Sequence, residues 1–232
     1  MESTPIALES PVRGFTLVEL IVVLAIIIII TTITITSQSD YNRSLIITNT
    51  AYTVALSVRE AQSLGLSSRT FSGIQNAGYG VNFQDITPTQ YRVFGDILAT
   101  PSYSGCPTGS ANTPEAKPGN CLYDGVSEIL TTFSLNKGFR IYDFCGIRTT
   151  GTVACGSNST WTALNITFLR PNTEAIMTMM SSTGVAYGLN CAVIWIVPPG
   201  NATANMKCVT VSQVGQVSVP QTCPAYPLSA CP

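Results

Sequence analysis

Gly14-Phe15-Thr16-Leu17-Val18-Glu19-Leu20 opens an apolar run that continues through Ile30, and one residue in it, Glu19, carries a charge. Over residues 15–30 every position other than Thr16 and Glu19 is apolar. An ionisable side chain inside hydrocarbon costs about 2.5–3.5 kcal/mol on insertion scales, so its presence there points to function. The expectation is a cation that Glu19 meets only on assembly, which makes the chain a subunit rather than a self-contained catalyst. Upstream, residues 1–14 are short and polar, and Pro5 and Pro11 disfavour a helix. Downstream, residues 15–64 contain neither Gly nor Pro, and Gly65 is expected to stop the helix. Fifty helical residues reach about 75 Å, far beyond the ~30 Å of a bilayer core. The first half is therefore expected in lipid and the second half beyond it. A secretory signal would be cut after its apolar region. Here the fitting site, Gly14-Phe15, precedes that region and leaves it on the mature protein.

The second half of this helix carries its own pattern. Ile47, Ala51, Val54, Val58 and Ala61 recur at spacings of four and three, one apolar face made to cover a globular domain. Asp40, Arg43, Arg59, Glu60 and Gln62 fall off that stripe. Between the halves, Thr31-Thr32-Ile33-Thr34-Ile35-Thr36 is β-branched throughout and predicts a locally loosened helix.

Arg13-Gly14-Phe15-Thr16-Leu17-Val18-Glu19-Leu20 resembles the processing site of type IV pilins and type II secretion pseudopilins. The resemblance implies that a prepilin peptidase cuts after Gly14 and methylates the new amino terminus at Phe15. It further implies that Glu19 neutralises the Phe15 amine of a neighbouring subunit. With less coverage, residues 56–65, 79–83 and 209–219 resemble the helix end, first strand and closing hairpin of the FimT/GspH-like minor pilin branch. The implied fold is α+β and pilin-like, a long N-terminal helix packed on a head of antiparallel sheets. The implied division is a leader at 1–14, a helix at 15–65 and a β-rich head at 66–232. Within the helix, 15–36 spans the membrane or filament core, and 37–65 is amphipathic and packs on the head. The implied partners are other pilins or pseudopilins, prepilin peptidase, inner-membrane assembly machinery, and membrane lipid before assembly. The chain is expected in the inner membrane as a single-pass protein, then in a filament with its head extracytoplasmic. Two features depart from the family: Glu2 and Glu9 face a single Arg13 in the leader, and the head is rich in cysteine.

Composition fits an exported head. Only 10% of the 232 residues are charged, the formal net charge is −1, and no basic or acidic block occurs. Bulk charge thus gives no support to a nucleic-acid partner, and none is expected. The alternative kept open is a DNA- or ligand-binding tip subunit, with Arg140, Arg148 and Arg170 as the candidate basic patch. There is no His, which removes the commonest general base and metal ligand. No Ser-x-x-Lys arrangement stands out near Lys117, Lys137 or Lys207, so no enzyme activity and no cofactor is expected.

All eight cysteines, Cys106, Cys121, Cys145, Cys155, Cys191, Cys208, Cys223 and Cys231, lie in the head, and their even number reads as disulfides. Eight cysteines allow 105 pairings. The expectation is sequential neighbours: Cys106 with Cys121, Cys145 with Cys155, Cys191 with Cys208, and Cys223 with Cys231. No metal site is assigned. Glu115, Asp124 and Asp143 leave an oxygen-bound cation open, without an EF-hand pattern. The Asp124 and Glu128 pair reads as a solvated face. After Gly65 the chain predicts nine short strands, near 81–83, 90–98, 129–135, 138–142, 164–169, 174–180, 192–197, 207–211 and 216–219, arranged as two small antiparallel sheets. Residues 164–180 are expected as a hairpin, and 101–125 as a stapled surface loop.

Overall fold

The structure, a computed structural model, describes residues 14–67, 69–107, 117–200 and 203–231. Most of the expected leader (1–13) and Glu115 lie outside those residues. The fold is α+β and pilin-like, a long N-terminal helix followed by an antiparallel β head with four disulfides.

Helix α1 runs unbroken over Leu17–Leu66, 50 residues. The threonine-rich stretch does not loosen it. Thr31, Thr32 and Thr34 donate their hydroxyls to the carbonyls of Ile27, Ile28 and Ile30 at 2.8, 2.7 and 3.1 Å. Each polar group is thus satisfied by the helix itself, which lets it stay helical without water. Two compact units divide at Arg43 and Ser44. In the first, every described side chain of the helix is exposed.

In the second unit, residues 44–66 of α1 lie on the head. Ile47, Ala51, Val54, Val58 and Ala61 are each at most 1% exposed, in one core with Val81, Phe83, Tyr91, Leu164, Ile166 and Phe168. Polar contacts fix the register. The Ser57 and Tyr91 hydroxyls meet at 3.0 Å, and Arg59 donates to the Val217 carbonyl at 2.8 Å. Gln62 donates to the carbonyls of Thr173 and Gly215. Gly65 does not stop the helix, which continues to Leu66. Its bareness serves packing instead: a Cβ there would lie 2.5 Å from the Phe168 carbonyl oxygen.

The head has ten strands: β1 Gly78–Gln84, β2 Gln90–Asp96, β3 Ile129–Ser134, β4 Arg140–Arg148, β5 Val153–Cys155, β6 Trp161–Phe168, β7 Ala175–Ser181, β8 Ala186–Val197, β9 Lys207–Ser212 and β10 Val217–Ser218. They form one hydrogen-bonded network rather than two separate sheets, in the order β10-β9-β8-β7-β6-β1-β2-β3, with β4 and β5 branching off β8. The cause is the length of β8. Leu189 pairs with Met177 of β7 and also with Arg148 of β4. From Cys191 to Ile196, β8 pairs with β4 and β9 together. β4 therefore follows one edge of β8, while β7 and then β9 share the other. All pairings are antiparallel, and β6 and β7 form the hairpin expected at 164–180.

Alternation sets the two faces of the sheet. On β6, Leu164, Ile166 and Phe168 enter the helix-side core. On the opposite face Asn165 accepts from Asn82 at 2.8 Å and donates to Thr178 at 3.3 Å. This polar row is buried because the loop before β3 folds over it, with Thr167 donating to the Cys121 carbonyl at 3.1 Å.

Candidate functional site

The described N-terminal residues 14–35 are exposed. Gly14 and Phe15 precede the helix, and Phe15 is 82% exposed. A Cβ on Gly14 would meet nothing within 4 Å among the described residues. Thr16 caps the helix: its Oγ1 accepts from the Glu19 backbone N–H at 3.3 Å, and its carbonyl accepts from Leu20. Thr16-Leu17-Val18-Glu19 fits the capping-box pattern, a signal for the role of Thr16 readable from sequence alone. Glu19 sits exposed in the first helical turn, where a carboxylate suits the helix dipole. Its carboxylate meets no cation among the described residues. From Leu17 to Ile35 the helix is long and apolar enough to cross a membrane, with a mean hydropathy of 2.9.

The head's reactive groups are structural. The disulfides are Cys106–Cys121, Cys145–Cys155, Cys191–Cys231 and Cys208–Cys223. The expected pairs Cys191 with Cys208 and Cys223 with Cys231 are thereby corrected. Cys191 lies opposite Ser212, and Cys208 lies opposite Trp195. The two cysteines are thus four residues out of register on adjacent strands, about 13 Å apart at strand rise. The C-terminal segment crosses that face instead, joining Cys208 and Cys191 in turn. It buries Leu228 with Val193 and Trp195, and the Tyr226 hydroxyl donates to Asp143 at 2.9 Å.

The acidic pair also differs from expectation. Glu128 is fully buried rather than solvated, accepting from the backbone N–H groups of Ile97, Leu98 and Asp124 at 2.9 Å each. Asp96, equally buried, accepts from Asn120 and Cys121. The Asn120 side chain donates to Pro101 and Asp124. These groups staple the long loop to the end of β2. Burial pushes Asp96 up to about 7, against the pull of two backbone donors, and pushes Asp124 up to about 6. Nothing in residue spacing revealed Asp96, because the backbone groups that donate to it lie 24 and 25 residues along the chain.

Asp96 with Cys106 and Cys121, and Asp143 with Cys145 and Cys155, lie close enough to hold an ion, but every cysteine sulfur is in a disulfide. Asp143 belongs to the second of these groups and Asp124 to neither. Arg140 and Arg148 sit at opposite ends of β4, about 26 Å apart at 3.3 Å per residue. Arg148 stacks on Tyr187 and Trp161 at the start of β6, whereas Arg170 follows its far end. The three arginines form no single basic patch.

A long N-terminal helix, apolar and exposed in its first part, followed by a disulfide-bonded antiparallel head makes a pilin-like fold. Residues 10–35 match the family model described as the prokaryotic N-terminal methylation motif. The chain thus carries the N-terminus of a type IV pilin-like prepilin-peptidase substrate, and the motif implies assembly with other pilins. No curated protein and no solved structure matches it.

Proposed function

We propose that this chain is a minor pilin or pseudopilin of the FimT/GspH-like branch, a structural subunit of a type IV pilus or type II secretion-like filament. The observation that carries the reading is the methylation motif at residues 10–35, set at the start of an uninterrupted helix. In this reading residues 1–14 are the leader, 15–65 the assembly helix and 66–232 the head. Prepilin peptidase hydrolyses the Gly14-Phe15 bond, and the freed Phe15 amine is methylated. Before assembly, the helix anchors the chain in the inner membrane with the head outside the cytoplasm. In the filament, the Glu19 carboxylate pairs with the Phe15 amine of a neighbouring subunit, so neither charge stays alone in an apolar interior.

Two further features support this reading. Four disulfides suit an oxidising compartment. Leu45, Tyr52 and Leu56 are 44%, 52% and 63% exposed, on the helix face away from the head core, where a neighbour can pack. At 100° per residue the three fall within an arc of about 40°.

The test is direct. Gly14→Phe is expected to leave a precursor that keeps residues 1–14, read by intact mass, and to abolish filament incorporation. Unchanged processing overturns the proposal. Glu19→Ala is expected to be cleaved normally yet to enter filaments poorly.

A further inference from the structure

The head contains a pocket where its sheet divides, independent of the N-terminal machinery. Where β7 and β9 part company along β8, a space of 290 Å³ opens, bounded by Ile176, Gly188, Leu169, Tyr103, Lys117 and Glu174. This is near the lower end of the ~300–1,000 Å³ usual for small-ligand pockets, so an occupant would be only slightly larger than one residue. The floor is apolar: Leu169 and Ile176 pack with the Cys106–Cys121 disulfide and the Tyr103 ring. The rim is polar and unsatisfied. The Lys117 ammonium, the Glu174 carboxylate and the Tyr103 hydroxyl have no hydrogen-bond or ion-pair partner among the described residues.

Unpaired charges are ordinary on a convex surface; here both signs border one concavity with an apolar floor. Gly188 helps keep it open, since a Cβ there would come within 2.5 Å of the Tyr103 hydroxyl. Burial raises the pKa of Tyr103, so its hydroxyl is a donor at neutral pH.

We infer that this pocket binds a free α-amino acid with an apolar side chain. The ligand carboxylate meets Lys117 and the Tyr103 hydroxyl, its ammonium meets Glu174, and its side chain lies on Leu169 and Ile176. Competing chemistries fit less well. A phosphate would face the Glu174 carboxylate, and a purely apolar ligand would leave three polar groups unpaired. An uncharged sugar would use neither charge.

The experiment titrates the full-length chain in detergent micelles with L-leucine, L-methionine and L-phenylalanine by calorimetry. Saturable binding of at least one is expected. Its N-acetyl and amide derivatives, each lacking one charge, should bind about tenfold more weakly, the scale of one charged hydrogen bond. Lys117→Gln should erase the preference for the free acid over the amide, and Glu174→Gln the preference for the free amine over the N-acetyl form. Gly188→Ala should weaken all binding. The inference is overturned if none of the three binds, if both derivatives bind as well as the parent, or if neither charge substitution changes selectivity. Thermal melts of each variant confirm folding, and the Lys117 and Glu174 arms decide the matter even if Gly188→Ala fails to fold.

Discussion

Residues 17–35 and 44–66 belong to one helix and are both rich in aliphatic side chains, yet they are stabilised by different things. Ile27 is 51% exposed and none of its described neighbours is covered, whereas Val58 is fully buried and shares a core with the sheet. Apolar content alone therefore does not say what a helix packs against. The second stretch finds its partner within the chain. The first has none there among the described residues, and in the proposed reading its exposed surface is covered by lipid or by other subunits. The head and residues 44–66 thus share a core of their own, and the proposed reading makes the N-terminal stretch the assembly segment.

The strongest way to break this comparison is to show that the head is not self-sufficient once its staples go. Cys191→Ser with Cys231→Ser removes a link across a separation of 40 residues. A loop of that size corresponds to about 4 kcal/mol in the chain-entropy account. The variant is expected to melt well below the parent while leader removal is unchanged. Equal melting temperatures would mean that the C-terminal segment contributes nothing to the head.

A somewhat smaller effect comes from the buried carboxyl at the end of β2. Asp96 titrates near 7 in the folded chain against 3.8 for the free side chain. Over the interval between those values the folded state holds a proton that the unfolded chain has lost. Stability from this group is therefore fully present below about 4 and is lost as pH rises through about 7. From about pH 5 to about pH 7.5 the loss is on the order of 2–3 kcal/mol. Asp96→Asn is expected to flatten that slope in thermal melts. A slope unchanged by the substitution would rule out Asp96 as its source.

What could be read in advance follows the same division. The N-terminal methylation motif was legible because its information is local: a Gly-Phe boundary, an apolar run and one acid lie within a few residues. The stripe Ile47, Ala51, Val54, Val58 and Ala61 was legible because helical periodicity reports one buried face. The forked sheet was not, since β8 serves three partner strands and nothing in its own composition counts them. β5, only Val153–Cys155, exists as a strand because β4 pairs with it. Its residues alone carry too little pattern. Glu128 reads as solvated because carboxylates spaced like Asp124 and Glu128 usually are, and its burial depends on three backbone donors, from Ile97, Leu98 and Asp124. The cysteine pairing failed where the last segment folds back across β8 and β9, a long-range choice that sequence spacing does not encode.

The smallest expected change sharpens the comparison most, because it sets the two stretches side by side. Val58→Ala removes two methyl groups from a filled core, which costs about 2 kcal/mol once the remaining cavity is included. Ile27→Ala trims an equally aliphatic side chain that touches no head core, so melting of the head in detergent should be unchanged. Its effect should fall on filament incorporation, where the exposed helix finds its neighbours, whereas Val58→Ala that still folds should incorporate nearly as well as the parent. A melt in which Ile27→Ala destabilises the head as much as Val58→Ala would show that the first stretch is also held by its own chain. Unpaired exposure would then no longer support the proposed pairing of Glu19 with a neighbouring subunit.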